Sequence, residues 1–170
     1  LAADILLLSG GVSAGDYDLV PGSLAAAGVE RIFHKVRLKP GKPIWFGVFR
    51  RLQASPTLVF GLPGNPVSTL VCFELFVRPA VAIAAGLPRD RWHRPRLTAV
   101  LEAAAKGNAD RPVYRPCTIA GSDQALTAAP LAWGGSADLL GLSRANGLLL
   151  LPAGGGQLES GSEVEVIPLG

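Results

Sequence analysis

Three short segments of this chain combine residue types suited to handling phosphate or another oxyanion. The first is Ser9-Gly10-Gly11-Val12-Ser13-Ala14-Gly15-Asp16-Tyr17-Asp18. Glycines after a buried strand let backbone N–H groups approach a phosphate closely. A helix beginning just beyond favours negative charge, and Ser13 adds a hydroxyl. Asp16 and Asp18 are of the type that shares a magnesium ion with phosphate oxygens. The same residues also suit a plain strand-to-helix turn with acids near the next helix start.

The second segment is Lys35-Val36-Arg37-Leu38-Lys39-Pro40-Gly41-Lys42-Pro43. Lys35, Arg37 and Lys39 alternate, so on a strand they share one face. Pro40 and Pro43 stiffen the loop, which then presents Lys39 and Lys42 to an oxyanion or phosphate. A solvated basic sheet edge is the simpler reading. The third segment, Gly61-Leu62-Pro63-Gly64-Asn65-Pro66-Val67-Ser68, joins a strand to a helix. It offers backbone donors at a helix start, although an N-capped turn would use the same residues. In a fourth segment, Ser136 or Asp138 can cap a short helix and Asn146-Gly147 can close it, with Arg144 within reach of a ligand.

Other chemistries find no support. There is no Walker A or Rossmann fingerprint. His34 and His93 lie in no nucleophile elbow. Cys72 and Cys117 have no metal-ligand spacing around them and suit buried thiols in a reducing compartment. The three tryptophans read as core or interface. The net charge of +3 fits a small anionic ligand. Without a dense Lys/Arg stripe it argues against nucleic acid. No signal peptide opens the chain, and no apolar run reaches membrane length, Leu148 to Leu151 being the longest. We therefore expect a cytoplasmic protein that binds no membrane.

The elements that must hold these segments follow from hydrophobic runs and punctuation. Asp4 to Leu8 reads as a fully buried strand and Leu19 to Ala27 as a helix stopped by Gly28. Arg31 to Leu38, Ile44 to Phe49 and Thr57 to Phe60 read as strands. A helix runs from about Val67 to Ala85, with Asn65 as N-cap and Pro66 at its first position. This order predicts an α/β layered domain with a largely parallel sheet, whose ligands bind beyond the strands' carboxyl ends. A polar, proline-flanked stretch near Gly86 to Pro95 marks a boundary. Beyond it, Arg96 to Ala104, Val113 to Ile119, Ala125 to Ala128, Gly147 to Pro152 and Glu163 to Ile167 read as short strands, with one helix at Ser136 to Ala145. The two regions are expected at 1–88 and 89–170. The 170 residues contain 21 glycines and 14 prolines, which fits many tight turns.

Together these segments resemble the MoeA family of molybdopterin molybdenumtransferases, related to the E domain of gephyrin. The resemblance rests on Ser9-Gly10-Gly11-Val12-Ser13 with Gly15 and Asp18, on Lys39-Pro40-Gly41-Lys42-Pro43, and on Gly61 through Ser68, in this order and spacing. In the second half it rests on Ala145-Asn146-Gly147-Leu148 and the strand from Gly161 to Ile167. It implies a three-layer α/β domain of the molybdopterin-binding type followed by a small β-barrel-like domain.

It also implies a reaction in which molybdate replaces the adenylate of adenylylated molybdopterin and AMP leaves, with Mg²⁺ assisting. Asp18, Lys39 and Lys42 would be the catalytic residues. Asp16 and Asp18 would hold the metal. Gly10, Gly11, Ser13, Gly61, Pro63, Gly64, Asn65, Pro66 and Ser68 would bind the pterin nucleotide. A homodimer is expected of the full-length protein.

The sequence departs from the family in one respect. It begins with Leu, has no Met, and matches only the C-terminal half, so it reads as a fragment expected to be impaired alone. A molybdopterin adenylyltransferase and a non-catalytic pterin-binding or scaffold module are the alternatives.

Overall fold

The computed structural model describes residues 3–13, 18–122, 125–132, 137 and 139–170. They form two compact units, Leu1–Val36 with Gly41–Trp92, and Arg37–Pro40 with His93–Gly170.

The first unit contains β1 (Ile5–Ser9), α1 (Val20–Ala26), β2 (Glu30–His34), β3 (Trp45–Phe49) and β4 (Thr57–Leu62). A long helical segment follows: α2 (Pro66–Cys72), a π turn (Phe73–Val77) and α3 (Arg78–Ala84). The sheet order is β1-β4-β3-β2. Only β1 and β4 are parallel, while β3 runs antiparallel to both β4 and β2. The expectation of a largely parallel sheet is therefore corrected. The β2–β3 and β3–β4 connections fall short of the roughly dozen residues that a parallel crossover needs.

The period-two alternation separates two faces. On one, Leu6, Leu8, Trp45, Phe49 and Val59 pack with Val12, Leu24 of α1 and Val29. On the other, Phe33, Phe46 and Phe60 make a cross-strand aromatic row, with centroids 5.4 and 4.7 Å apart. Phe76 of the π turn joins Phe33 at 6.0 Å. The sheet is thus sandwiched between α1 and the long helical segment. β1 is not fully buried as expected. It is an edge strand among the described residues, and Leu7 is 43% exposed.

The predicted helix from Val67 to Ala85 is present but not uniform. Pro79 has no N–H and its ring crowds the carbonyl four residues back. The turn before it widens, so that Arg78 N–H donates to the Phe73 carbonyl. Glu74, which is buried, takes both Nε and Nη2 of Arg78 across this turn. The segment Pro66–Ala84 is long and apolar enough, by length and composition, to cross a membrane, which corrects the expectation that no apolar run reaches that length. Its buried residues, among them Val67, Val71, Cys72, Val77 and Ala82, recur at helical spacing as on a core-facing stripe.

The second unit is a closed barrel of order β11-β5-β8-β7-β9. Its strands are β5 (Leu97–Leu101), β7 (Val113–Ser122), β8 (Ala125–Pro130), β9 (Gly147–Leu151) and β11 (Glu163–Pro168). β6 (Ala105–Lys106) and β10 (Gln157–Leu158) make a separate two-stranded ribbon. Inward residues Ala99, Leu101, Val113, Cys117, Ala128, Leu149, Leu151, Val164 and Val166 fill the core. The helix expected at Ser136 to Ala145 is the shorter α4 (Leu139–Ser143), and Ser136 and Asp138 lie outside the described residues. Asn146 does more than close it. Its side-chain amide pairs with both backbone groups of Ile119 on β7, at 2.6 and 2.9 Å.

Candidate functional site

The registers of the first sheet place three connections at one end of it. Ser9 at the end of β1 is level with Leu62 at the end of β4. Gly61 is level with Trp45 at the start of β3, and Trp45 with His34 at the end of β2. The loop after β1, the loop after β4 and the β2–β3 connection therefore leave the sheet on the same side. The loops after β1 and β4 are the glycine loops of the sequence, and the β2–β3 connection carries Lys42.

The glycine loops are locked together. Gly10 and Gly11 have φ of +87° and +67°, a region that side chains rarely adopt. Gly10 N–H donates to the Leu62 carbonyl at 2.9 Å. The Gly10 amide thus joins the loops and is not aimed outward. Gly11 accepts from Val20 N–H at 3.2 Å, which ties the loop to the start of α1. A Cβ on Gly64 would stand 3.4 Å from Gly10 Cα, so the loops are in contact. Val12 is buried, and Ser13 beside it is exposed.

In the second glycine loop, Gly61, Pro63 and Ser68 are buried, while Gly64 and Asn65 are exposed and Pro66 is half-buried. The buried three shape the loop, and the others line its outer side. Asn65 occupies the N-cap position as expected, with extended backbone, but its side chain makes no cap hydrogen bond. Thr69 instead fastens the turn. Its hydroxyl donates to the Pro63 carbonyl and lies 3.1 Å from the Asn65 carbonyl.

The lysine segment differs from its expected form. β2 ends at His34, and Lys35 has a left-handed φ of 70°. Lys35 N–H donates to Ile44 O and Val36 N–H to Lys42 O, both at 2.9 Å. Lys35, Arg37 and Lys39 therefore do not share a strand face. Lys42, exposed, belongs to the first unit. Lys39, also exposed, belongs to the second, where it exchanges two backbone hydrogen bonds with Pro112 and Tyr114. Arg37 donates there to the Asp110 carbonyl. The expected single loop presenting both lysines is divided between two units.

Asp18 is half-buried at the end of the first loop, and Asp16 lies outside the described residues. Among the described residues no group of three or more His, Cys, Asp or Glu side chains could hold a metal ion. Magnesium commonly takes one or two carboxylates and completes its shell with water and substrate phosphates, so the donor type of Asp18 fits it.

Two further residues had not been singled out for this chemistry. His34 Nε2 lies 2.8 Å from the Val12 carbonyl. In the barrel unit, Arg115 donates from Nη2 to the Leu131 carbonyl at 2.9 Å, while its buried Nε has no partner among the described residues. Burial pulls the Arg115 guanidinium below its ordinary pKa. Arg144 is exposed, with its backbone N–H on the Gly141 carbonyl. Neither spacing nor composition marks His34 or Arg115, because the groups they meet are distant in sequence.

Two family models match the chain in tandem. One, described as "Probable molybdopterin binding domain", covers residues 1–83. The other, described as "MoeA C-terminal region (domain IV)", covers residues 98–169. Gephyrin of Dictyostelium discoideum is 37% identical over 185 residues, spanning 99% of this chain and 26% of that protein. Molybdopterin molybdenumtransferase 2 of Mycobacterium tuberculosis is 37% identical over 171 residues, spanning 96% of this chain and 40% of that protein. A solved molybdopterin biosynthesis MoeA protein from Pyrococcus horikoshii superimposes with a TM-score of 0.75 at 28% identity, over 99% of this chain and 38% of that one. The chain thus spans between 26% and 40% of the length of these relatives. With both domain models in the order that the resemblance implies, the chain belongs to the MoeA family.

Proposed function

We propose that this chain forms part of the site of a molybdopterin molybdenumtransferase, which inserts molybdate into adenylylated molybdopterin with release of AMP. The observation that carries this reading is the register of Ser9 with Leu62, of Gly61 with Trp45 and of Trp45 with His34, which opens both glycine loops and the Lys42 connection at one sheet end. The names of the relatives support the same reading.

In it, the loop bearing Gly11 and Ser13 and the exposed Gly64-Asn65 edge receive the pterin nucleotide, and the Gly10 amide keeps the two loops in register. Lys42 and Lys39 attract molybdate or phosphate as exposed cations. Asp18, with Asp16, takes Mg²⁺, which neutralises phosphate charge when bound. The protein's contribution is positioning and electrostatic stabilisation, since molybdate and the pterin dithiolene supply the bond-making atoms. The protein acts as a cytoplasmic homodimer.

The test is release of AMP from adenylylated molybdopterin by the full-length protein that carries this chain, with molybdate and Mg²⁺. Molybdate-dependent release supports the reading. ATP-dependent adenylylation of unmodified molybdopterin would replace it with the adenylyltransferase, and pterin binding without AMP release would replace it with a carrier or scaffold.

A further inference from the structure

The first glycine loop is held by a side chain from across the sheet. His34 ends β2, two strands away from β4 and three from β1. Its strand pairing to Trp45 uses the backbone alone. The half-buried imidazole is turned to the loop, where Nε2 meets the Val12 carbonyl 2.8 Å away, across 22 positions of sequence. A carbonyl only accepts, so Nε2 carries the proton and donates.

This bond has a consequence one atom further along the chain. The Val12 carbonyl and the Ser13 N–H belong to one planar trans peptide and point in opposite directions. Fixing the carbonyl on His34 therefore fixes the Ser13 N–H on the side away from His34. Ser13 is exposed there, while the Val12 side chain beside it is 2% exposed. Loop elements at a binding site need their donors oriented before the ligand arrives.

We infer that His34 is a positioning residue: it clamps the Val12–Ser13 peptide so that the Ser13 amide is aimed at the anionic part of the bound nucleotide. This rests on the proposed function, which supplies the nucleotide. The clamp acts in either the neutral Nε2–H form or the imidazolium, because both donate from Nε2.

The experiment uses the full-length protein with His34→Phe and His34→Gln. Phe keeps the ring and removes the donor, whereas the Gln amide can donate from nearly the same place. Two readouts are taken: hydrogen exchange of the Gly10 and Val20 backbone amides, whose bonds to the Leu62 and Gly11 carbonyls hold the loop, and affinity for AMP as the probe. Loss of one hydrogen bond should speed exchange of the Gly10 and Val20 amides by about tenfold and weaken AMP by a similar factor in His34→Phe, with His34→Gln close to wild type. Exchange in β3 and β4 should not change. If His34→Phe does not fold, His34→Met, matched to Gln in length, replaces it.

Unchanged loop exchange in the donor-free variant overturns the clamp. Faster loop exchange with unaltered AMP affinity overturns its role in positioning. A wild-type protein that binds no AMP is a different failure: it overturns the proposed nucleotide site, and the ligand-directed part of this inference with it.

Discussion

Val12 Cγ1 lies 2.7 Å from where a Cβ on residue 61 would stand, so the first glycine loop packs into the space that Gly61 leaves open. The Trp45 Cβ closes the other side at 3.2 Å. Gly61→Ala must therefore push Val12, and with it the Val12 carbonyl that His34 holds. We expect it to lower stability by about 1–3 kcal/mol, as overpacking of a filled core does. Gly64→Ala makes only an ordinary contact with Gly10 at 3.4 Å and should change stability by less than about 0.5 kcal/mol. Denaturant unfolding of both variants decides this. Equal stabilities would mean that the loop is not wedged on Gly61.

The lysines should act as exposed point charges. Lys39→Ala and Lys42→Ala should each weaken molybdate binding to the full-length protein by about tenfold, roughly 1.4 kcal/mol. Both side chains are exposed, so the difference from wild type should shrink as salt is raised to about 1 M, where screening acts over about 3 Å. Calorimetric titration at low and high salt tests both points. Wild-type binding in both variants would remove the lysines from the oxyanion site.

The reach of the sequence is clear from particular elements. β1 and β4 were legible because each is an apolar run stopped by glycine, and the start of α2 because Pro66 fits a first helical turn. The glycine loops were legible for the same reason. Strand direction is not legible, because a run such as Trp45–Phe49 carries no mark of which neighbour it joins. The turn at Lys35 was also hidden. A left-handed lysine is set there by closure of Lys35 N–H on Ile44 and Val36 N–H on Lys42, not by a glycine signal. Lys39 on Pro112 and Tyr114, and His34 on Val12, depend on folding distant segments together, so no local pattern could announce them.

In the barrel unit, Asn146 substitutes for a strand residue. Its Oδ1 accepts from Ile119 N–H and its Nδ2 donates to Ile119 O. Asn146→Ala removes both bonds and should cost about 1–2 kcal/mol. Asn146→Asp keeps the acceptor but sets an anionic oxygen against the Ile119 carbonyl, so it should be at least as destabilising at neutral pH. Thermal unfolding of the two variants tests this. An Asp variant as stable as wild type would show that the Nδ2 bond contributes nothing.

Burial pushes the Cys72 and Cys117 thiols from an ordinary 9.0 up to about 12. Cys72 lies against the Gly41 carbonyl, 3.4 Å from its Sγ, and Cys117 faces the barrel core. A group whose folded pKa is raised holds its proton more tightly in the folded state. Its contribution to stability is therefore complete below pH 9.0, the unfolded value, and is lost as the pH rises through about 12. Stability should fall across that window, and Cys72→Ala or Cys117→Ala should make the fall shallower even though each lowers stability at pH 7. Both thiols should also resist alkylation at pH 8 until the protein is unfolded. Denaturant midpoints between pH 8 and pH 11 check the first expectation, and mass spectrometry after iodoacetamide the second. A slope that neither substitution alters would assign the alkaline loss to other groups, and rapid labelling of the folded protein would show that the thiols are not sealed in their cores.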